Sequence, residues 1–437
     1  FSDDDLERQV ACIRGSLAAA APIVAPRPMP APAGEEATPA ELVAAAMRIG
    51  ERLGQLAVHD DGQAHWAGII QLGGRMVWSP VGPDLYNGTA GIALFLAHLA
   101  RATGREDFDR LARAAYSDIA NYLRTAEREP SAGAFVGGSG VLYAALHLSE
   151  LWHDPVIAGE ALGALEHIAR RARRDVDNDV LDGGAGCILV MLRLAERFPD
   201  SPALSIATAC GHRLIRNAQR IDGALAWTPA WGSRPLLGLS HGTAGIAWAL
   251  AELASATGDR RFLRAANRAL AYEARHFDTT AQNWPDLRDE AGANGASSMA
   301  WCHGAPGVGM ARLMSRGHGL DEVALDADVA VALATTDTHG FGISHCLCHG
   351  DLGNAELFQL AAGAYGEPGW RANALRRAKA VLREEAETGS WRTGATNGAE
   401  SPGLLTGLAG IGYGMLRLAD PAAVPSVLVL EGPRSDG

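Results

Sequence analysis

The chain has 437 residues, 48% of them hydrophobic and 20% charged, and a formal net charge of −12. That is the composition of a globular protein with a large core. The acidic balance argues against nucleic acid or an anionic membrane as partner, while a cationic peptide would be tolerated. No apolar stretch reaches membrane-spanning length without a Gly, His or charge, and no signal-peptide pattern opens the chain. Six cysteines are too few for a disulfide framework. Sulfur grouped beside histidine points instead to metal or catalytic chemistry in a reducing compartment, the cytoplasm.

In chain order, residues 1–19 read as a short amphipathic helix, and 20–40 as an Ala/Pro-rich linker that cannot sustain one. The start without Met suggests a piece of a longer protein. Residues 41–437 form one repeating region. A G-x-x-G followed by an apolar run occurs seven times, with first glycines at Gly88, Gly137, Gly183, Gly242, Gly304, Gly350 and Gly407, spaced 46 to 62 residues apart. The helices that start there are apolar almost all round and should be buried. Stretches between them, such as "EDFDRLARAAYSDIANYLRTA", carry one apolar stripe and a charged face, as an outer layer would. The expected architecture is all-α: a closed, double-layered α/α toroid of seven inner and seven outer helices. An open solenoid would use the same alternation.

If all seven inner helices start on one rim, the residues just ahead of each G-x-x-G converge there. The position immediately before the first glycine holds Asn87, Val136, Asp182, His241, His303, His349 and Thr406. One residue earlier come Tyr86, Phe135, Leu181, Ser240, Cys302, Cys348 and Leu405. Cys302 and Cys348 therefore occupy equivalent positions on adjacent repeats and should lie side by side. Cys346 is out of register and reads as a bystander. Two thiolates completed by His303 or His349 suit Zn²⁺, which in catalytic sites takes three protein ligands and leaves a fourth position open. A glycosidase, another tenant of α/α toroids, would need paired carboxylates where this rim presents Cys and His.

The motifs "SHGTAG", "WCHGAPG" and "CHGDLGN", with "GLLTGLAGIGYGMLRL" and "PAAVPSVLVLE", closely resemble the lanthionine synthetase C-like cyclases. The likeness is greatest to the C-terminal cyclase region of class II (LanM-type) lanthipeptide synthetases. The resemblance covers essentially the whole chain. It implies a seven-fold toroid with one zinc ion at Cys302, Cys348 and His349, and it implies thioether ring formation. A peptide Cys adds to dehydroalanine or dehydrobutyrine, giving lanthionine or methyllanthionine. The implied partners are a dehydrated ribosomal precursor peptide and a dehydratase region N-terminal to this chain. The competing reading is a zinc-bearing protein of the same family that binds peptide or thiol without cyclising it.

His241 matches the family's catalytic His and is assigned as the acid toward the enolate; His can titrate near neutrality. Asp179, four residues before its glycine, matches an Asp of the family's site and would orient His241 or take up a proton. Asp84 has the same offset, so a turn role fits that position equally. His303 stands where free-standing cyclases commonly have Tyr, and is expected to hydrogen-bond near the site. Ser298 stands where those enzymes carry an Arg, so any stabilisation of the enolate falls to another group.

Overall fold

The computed structural model describes residues 2–20, 34–72, 75–125, 131–174, 176–289 and 298–434. The proposed linker falls largely on 21–33, outside the described residues. An N-terminal helix α1 (Asp3–Ala20) precedes α2 (Pro39–Leu56). Helix α2 starts two residues earlier than the expected end of the linker. Thr38 caps it, its hydroxyl accepting from the Glu41 N–H while the Glu41 carboxylate returns to the Thr38 N–H. From there helices come in pairs, an inner one and its outer partner. They are α3 (Thr89–Thr103) with α4 (Glu106–Thr125), and α5 (Gly138–Leu151) with α6 (Pro155–Gly163) and α7 (Leu165–Arg174). Next are α8 (Gly184–Arg197) with α9 (Ala203–Asn217), and α10 (Thr243–Thr257) with α11 (Arg260–His276). Then come α12 (Ala305–Ser315) with α13 (Glu322–His339), α14 (Asp351–Tyr365) with α15 (Pro368–Thr388), and finally α16 (Leu408–Ala419).

Each inner helix packs on the next, and α16 packs back on α3, so the ring is closed. The open solenoid is ruled out by that last contact. Outer helix α2, first in the chain, pairs with inner helix α16, last in the chain, so the two ends of the repeat region lock one another. The α/α toroid is thus as expected from the alternation, with one outer layer element broken in two at Ala164. Among the described residues, three two-stranded antiparallel hairpins are additions to the all-α expectation: Val58–Asp60 with Gln63–His65, Ala67–Leu72 with Arg75–Pro80, and Gln219–Ile221 with Ala224–Ala226. Two of them turn on Asp61-Gly62 and Asp222-Gly223 with positive φ at both residues, the hairpin signature of an Asp-Gly pair. No helix among the described residues is long and apolar enough to cross a membrane.

The paired glycines are forced by close approach. The second glycine of every copy, from Gly91 to Gly410, lies against the backbone carbonyl of the residue six positions earlier, where an added Cβ would overlap it. In Gly353 the carbonyl is that of Leu347, between Cys346 and Cys348. Gly304, directly after Cys302 and His303, also needs its left-handed backbone, with φ of +90°. The helix starts are therefore pulled tightly onto the loops that precede them.

Those loops are stitched into a ring. Leu405 N–H bonds to Tyr86 O (2.6 Å), Tyr86 to Phe135, Phe135 to Leu181, Leu181 to Ser240, Ser240 to Cys302 (3.5 Å), Cys302 to Cys348 (3.4 Å) and Cys348 to Leu405 (2.8 Å). These are the seven residues two places before the first glycines. The sequence register is a physical circle of hydrogen bonds.

Candidate functional site

The ring brings Cys302 and Cys348 onto adjacent turns of one rim. The Cys348 thiol, hydrogen-bonded to Cys302, draws the Cys302 pKa below the usual thiol value against the opposing effect of burial. The same bond, with burial, pushes Cys348 well above it. Tyr86 donates its hydroxyl to Cys348 Sγ at 3.0 Å. Sequence reasoning gave Tyr86 no role, although it occupies the same register position as the two cysteines.

His349 follows Cys348, and its Nε2 lies 3.1 Å from the Gly394 carbonyl. Donating Nε2–H there leaves the lone pair of Nδ1 as the ring atom that could face a metal. The Cys346 sulfur, the supposed bystander, lies beside this imidazole. Both crowd the bare Cα of Gly394, and the Cys346 charge holds the His349 pKa up at about 9 against burial. Ser344 Oγ donates to Cys346 Sγ at 3.2 Å. Two soft sulfurs and one tautomer-fixed imidazole make a donor set that suits zinc. Among the described residues, no three His, Cys, Asp or Glu side chains are drawn together as a ready ligand shell.

His241 lies on the rim in the preceding repeat. Its Nδ1 is 2.7 Å from Asp179 Oδ2, and the two side chains are 17% and 5% exposed. Burial pulls the imidazole down, but the Asp179 charge and hydrogen bond, backed by Cys302 and Asp182, more than offset it, and the net displacement is upward. Asp179 also holds its own loop, Oδ1 accepting from Asp182 N–H at 2.8 Å. Asp84 makes the matching turn bond to Asn87 N–H, 2.9 Å. Both carboxylates are therefore turn residues, and only Asp179 adds a histidine. Asp182, in the register position of the histidines, has its pKa pushed up to about 6 by burial and by Asp179 and Asp177.

His303 is buried and stacks on His241 with ring centroids 5.9 Å apart. Its Nδ1 is 3.7 Å from Asp286 Oδ1, beyond hydrogen-bond range, and neither ring nitrogen has a hydrogen-bond partner among the described residues. Burial, followed by the Arg288 charge, drives its pKa down to about 3, opposite in direction to the shift of His241. Trp231, 53% exposed, meets His241 edge-on at 5.3 Å. Two further neighbours were not foreseen, Asp286 and Arg288. They and Trp231 come from connections outside the repeated motif, where the register gives no signal. Trp301 is buried packing, its indole N–H donating to Leu428 O at 3.0 Å. His345 is structural too, its Nδ1 accepting from Arg392 N–H at 3.2 Å.

Residues 79–429 match the family model described as lanthionine synthetase C-like protein, a span that contains all seven glycine motifs and every site residue above. The chain belongs to the lanthionine synthetase C-like family. Among solved structures, nisin cyclase superposes with a TM-score of 0.64 over 90% of this chain and 97% of that one, at 18% identity. The lanthionine synthetase C-like fold is thereby shared although most side chains differ. A probable SapB synthase of Streptomyces coelicolor is 33% identical over 192 residues, covering 44% of this chain and 16% of that protein. The lacticin 481/lactococcin biosynthesis protein LcnDR2 of Lactococcus lactis subsp. lactis is 21% identical over 351 residues, 76% of this chain and 36% of that protein. The regions matched are well under half the length of these two relatives.

Proposed function

We propose that this lanthionine synthetase C-like chain is a zinc-dependent peptide cyclase that closes lanthionine or methyllanthionine rings on a dehydrated precursor peptide. The observation that carries the reading is the Asp179–His241 pair on the same hydrogen-bonded rim as the Cys302–Cys348 pair. A nucleophile's sulfur and a proton donor are needed together, and these are the groups that serve them. Zinc would be held by Cys302, Cys348 and His349, and when bound it supplies a Lewis acid that keeps an incoming thiol deprotonated at neutral pH.

The remaining work belongs to the chain. The peptide sulfur bonds to the β-carbon of the dehydro residue, the π pair moves toward the acyl oxygen, and the α-carbon then takes a proton. The thiol's proton is released to solvent, so S–H has been added across C=C with no redox change. Asp179 orients His241 through Nδ1 and raises its pKa, leaving Nε2–H as the proton donor for the α-carbon. Neutral His303 stacks on that ring and limits its rotation. All six cysteines are free, in keeping with the cytoplasm as the site of the reaction.

Incubating the zinc-loaded chain with a dehydrated peptide should remove alkylatable thiols without changing the peptide's mass. His241→Ala should bind the same peptide and leave its thiols reactive. Full thiol reactivity after incubation with the wild-type chain would end the cyclase reading.

A further inference from the structure

The addition just described puts negative charge on the acyl oxygen of the dehydro residue, and a buried enolate without a preorganised partner is costly. None of the groups assigned so far meets that oxygen. His241 is committed to the α-carbon, His303 has its pKa driven down by burial, and the sulfurs are assigned to the metal.

Beside His241 a narrow cleft opens between Trp231 and Arg234 on one side and Leu287, Arg288 and Asp289 on the other. It is small, and its rim carries charged side chains on both sides. Two cations line it. Arg234 is largely exposed and bonds to Asp289 at 3.2 Å, so it is a mobile surface ion. Arg288 is anchored. Its Nε lies 3.1 and 3.0 Å from the two Asp286 oxygens and its Nη2 lies 2.6 Å from Oδ2. Asp286 itself is buried, its side chain 3% exposed, whereas that of Arg288 is 36% exposed. A buried carboxylate gripping one edge of a planar guanidinium fixes its plane and direction. Asp286 Oδ1 in turn lies 3.7 Å from His303 Nδ1, and His303 stacks on His241, which ties the anchored guanidinium to the ring beside the proton donor.

We propose that Arg288 is the oxyanion-binding cation of the addition step, donating to the acyl oxygen of the dehydro residue seated in this cleft. The role rests on the cyclase reading. Arg288 contacts the oxygen as charge develops there, while Asp286 is a positioning residue that holds the guanidinium before substrate arrives.

The test uses the zinc-loaded chain and a synthetic peptide carrying one cysteine and one dehydroalanine. Arg288→Gln should retain zinc and its melting temperature, keep KM near the wild-type value and lose about 100-fold in kcat, the scale of removing one oxyanion donor. Added guanidinium ion should restore part of the activity of Arg288→Ala, which a merely structural arginine would not allow. If Arg288→Gln melts early, Arg288→Lys keeps the charge opposite Asp286 and decides the matter: a lowered kcat at unchanged melting supports the role, and wild-type kcat overturns it. A wild-type kcat in Arg288→Gln, or an effect confined to KM without guanidinium rescue, likewise refutes Arg288 alone. A wild-type chain that leaves the peptide thiol untouched refutes the cyclase reading and this role with it.

Discussion

Asp179→Asn separates the two tasks of that carboxylate. The amide oxygen still accepts the Asp182 N–H that closes the turn, 2.8 Å in the wild type, so the loop should keep its shape. What disappears is the negative charge 2.7 Å from His241 Nδ1. A hydrogen bond to a charged group contributes about 1.5–3 kcal/mol, and its loss should lower the His241 pKa. The sign follows from the direction of the native shift. A raised pKa keeps the imidazolium present until pH climbs through the raised value, and the proton donor is lost above it. In Asp179→Asn the alkaline limb of the cyclisation profile should therefore move down. At a pH above both limbs the rate should fall about 10- to 100-fold, in proportion to the imidazolium that remains. The assay is the initial rate of thiol loss against pH, checked by titrating the His241 ring protons in NMR. Asp84→Asn is the control, since Asp84 holds the same kind of turn; its profile should not move. An unmoved alkaline limb in Asp179→Asn, or an upward one, would refute the claim that Asp179 sets the charge of His241.

Cys302→Ala and Cys348→Ala should each abolish stoichiometric zinc in metal analysis, whereas Cys346→Ala should retain it; zinc lost from the last would make Cys346 a ligand. Gly353→Ala drives a Cβ into the Leu347 carbonyl and should cost about 3 kcal/mol in denaturant unfolding. Gly363→Ala, at an exposed point of α14 with open space around its Cα, should gain about 0.5–1 kcal/mol. Arg312 meets Glu273 at 2.8 Å with side chains 2% and 0% exposed. Arg312→Ala strands that carboxylate and should cost about 3–5 kcal/mol. Since Glu273 also accepts the Gly238 N–H at 3.1 Å, the loop carrying His241 should loosen, visible as faster amide exchange at 236–241.

The periodic part of this protein could be read directly from its residues. Glycines recur where a helix start must press on its own loop, and no other residue lacks the Cβ that would collide there. That constraint is local, so it repeats with each copy and marks the positions that later form the ring. Cys302, Cys348, His241 and Tyr86 were all visible as members of one register for this reason, and the Asp61-Gly62 and Asp222-Gly223 hairpins carried a local signal as well. Tertiary structure decided the rest. Closure depends on α16 meeting α3 and α2, contacts between chain segments hundreds of residues apart that no local pattern specifies. Cys346 lies out of register, yet the fold sets its sulfur beside His349. Trp231, Asp286 and Arg288 come from connections of irregular length, free of the steric rule that spaces the glycines. Their convergence on His241 and Cys302 exists only once the ring has closed.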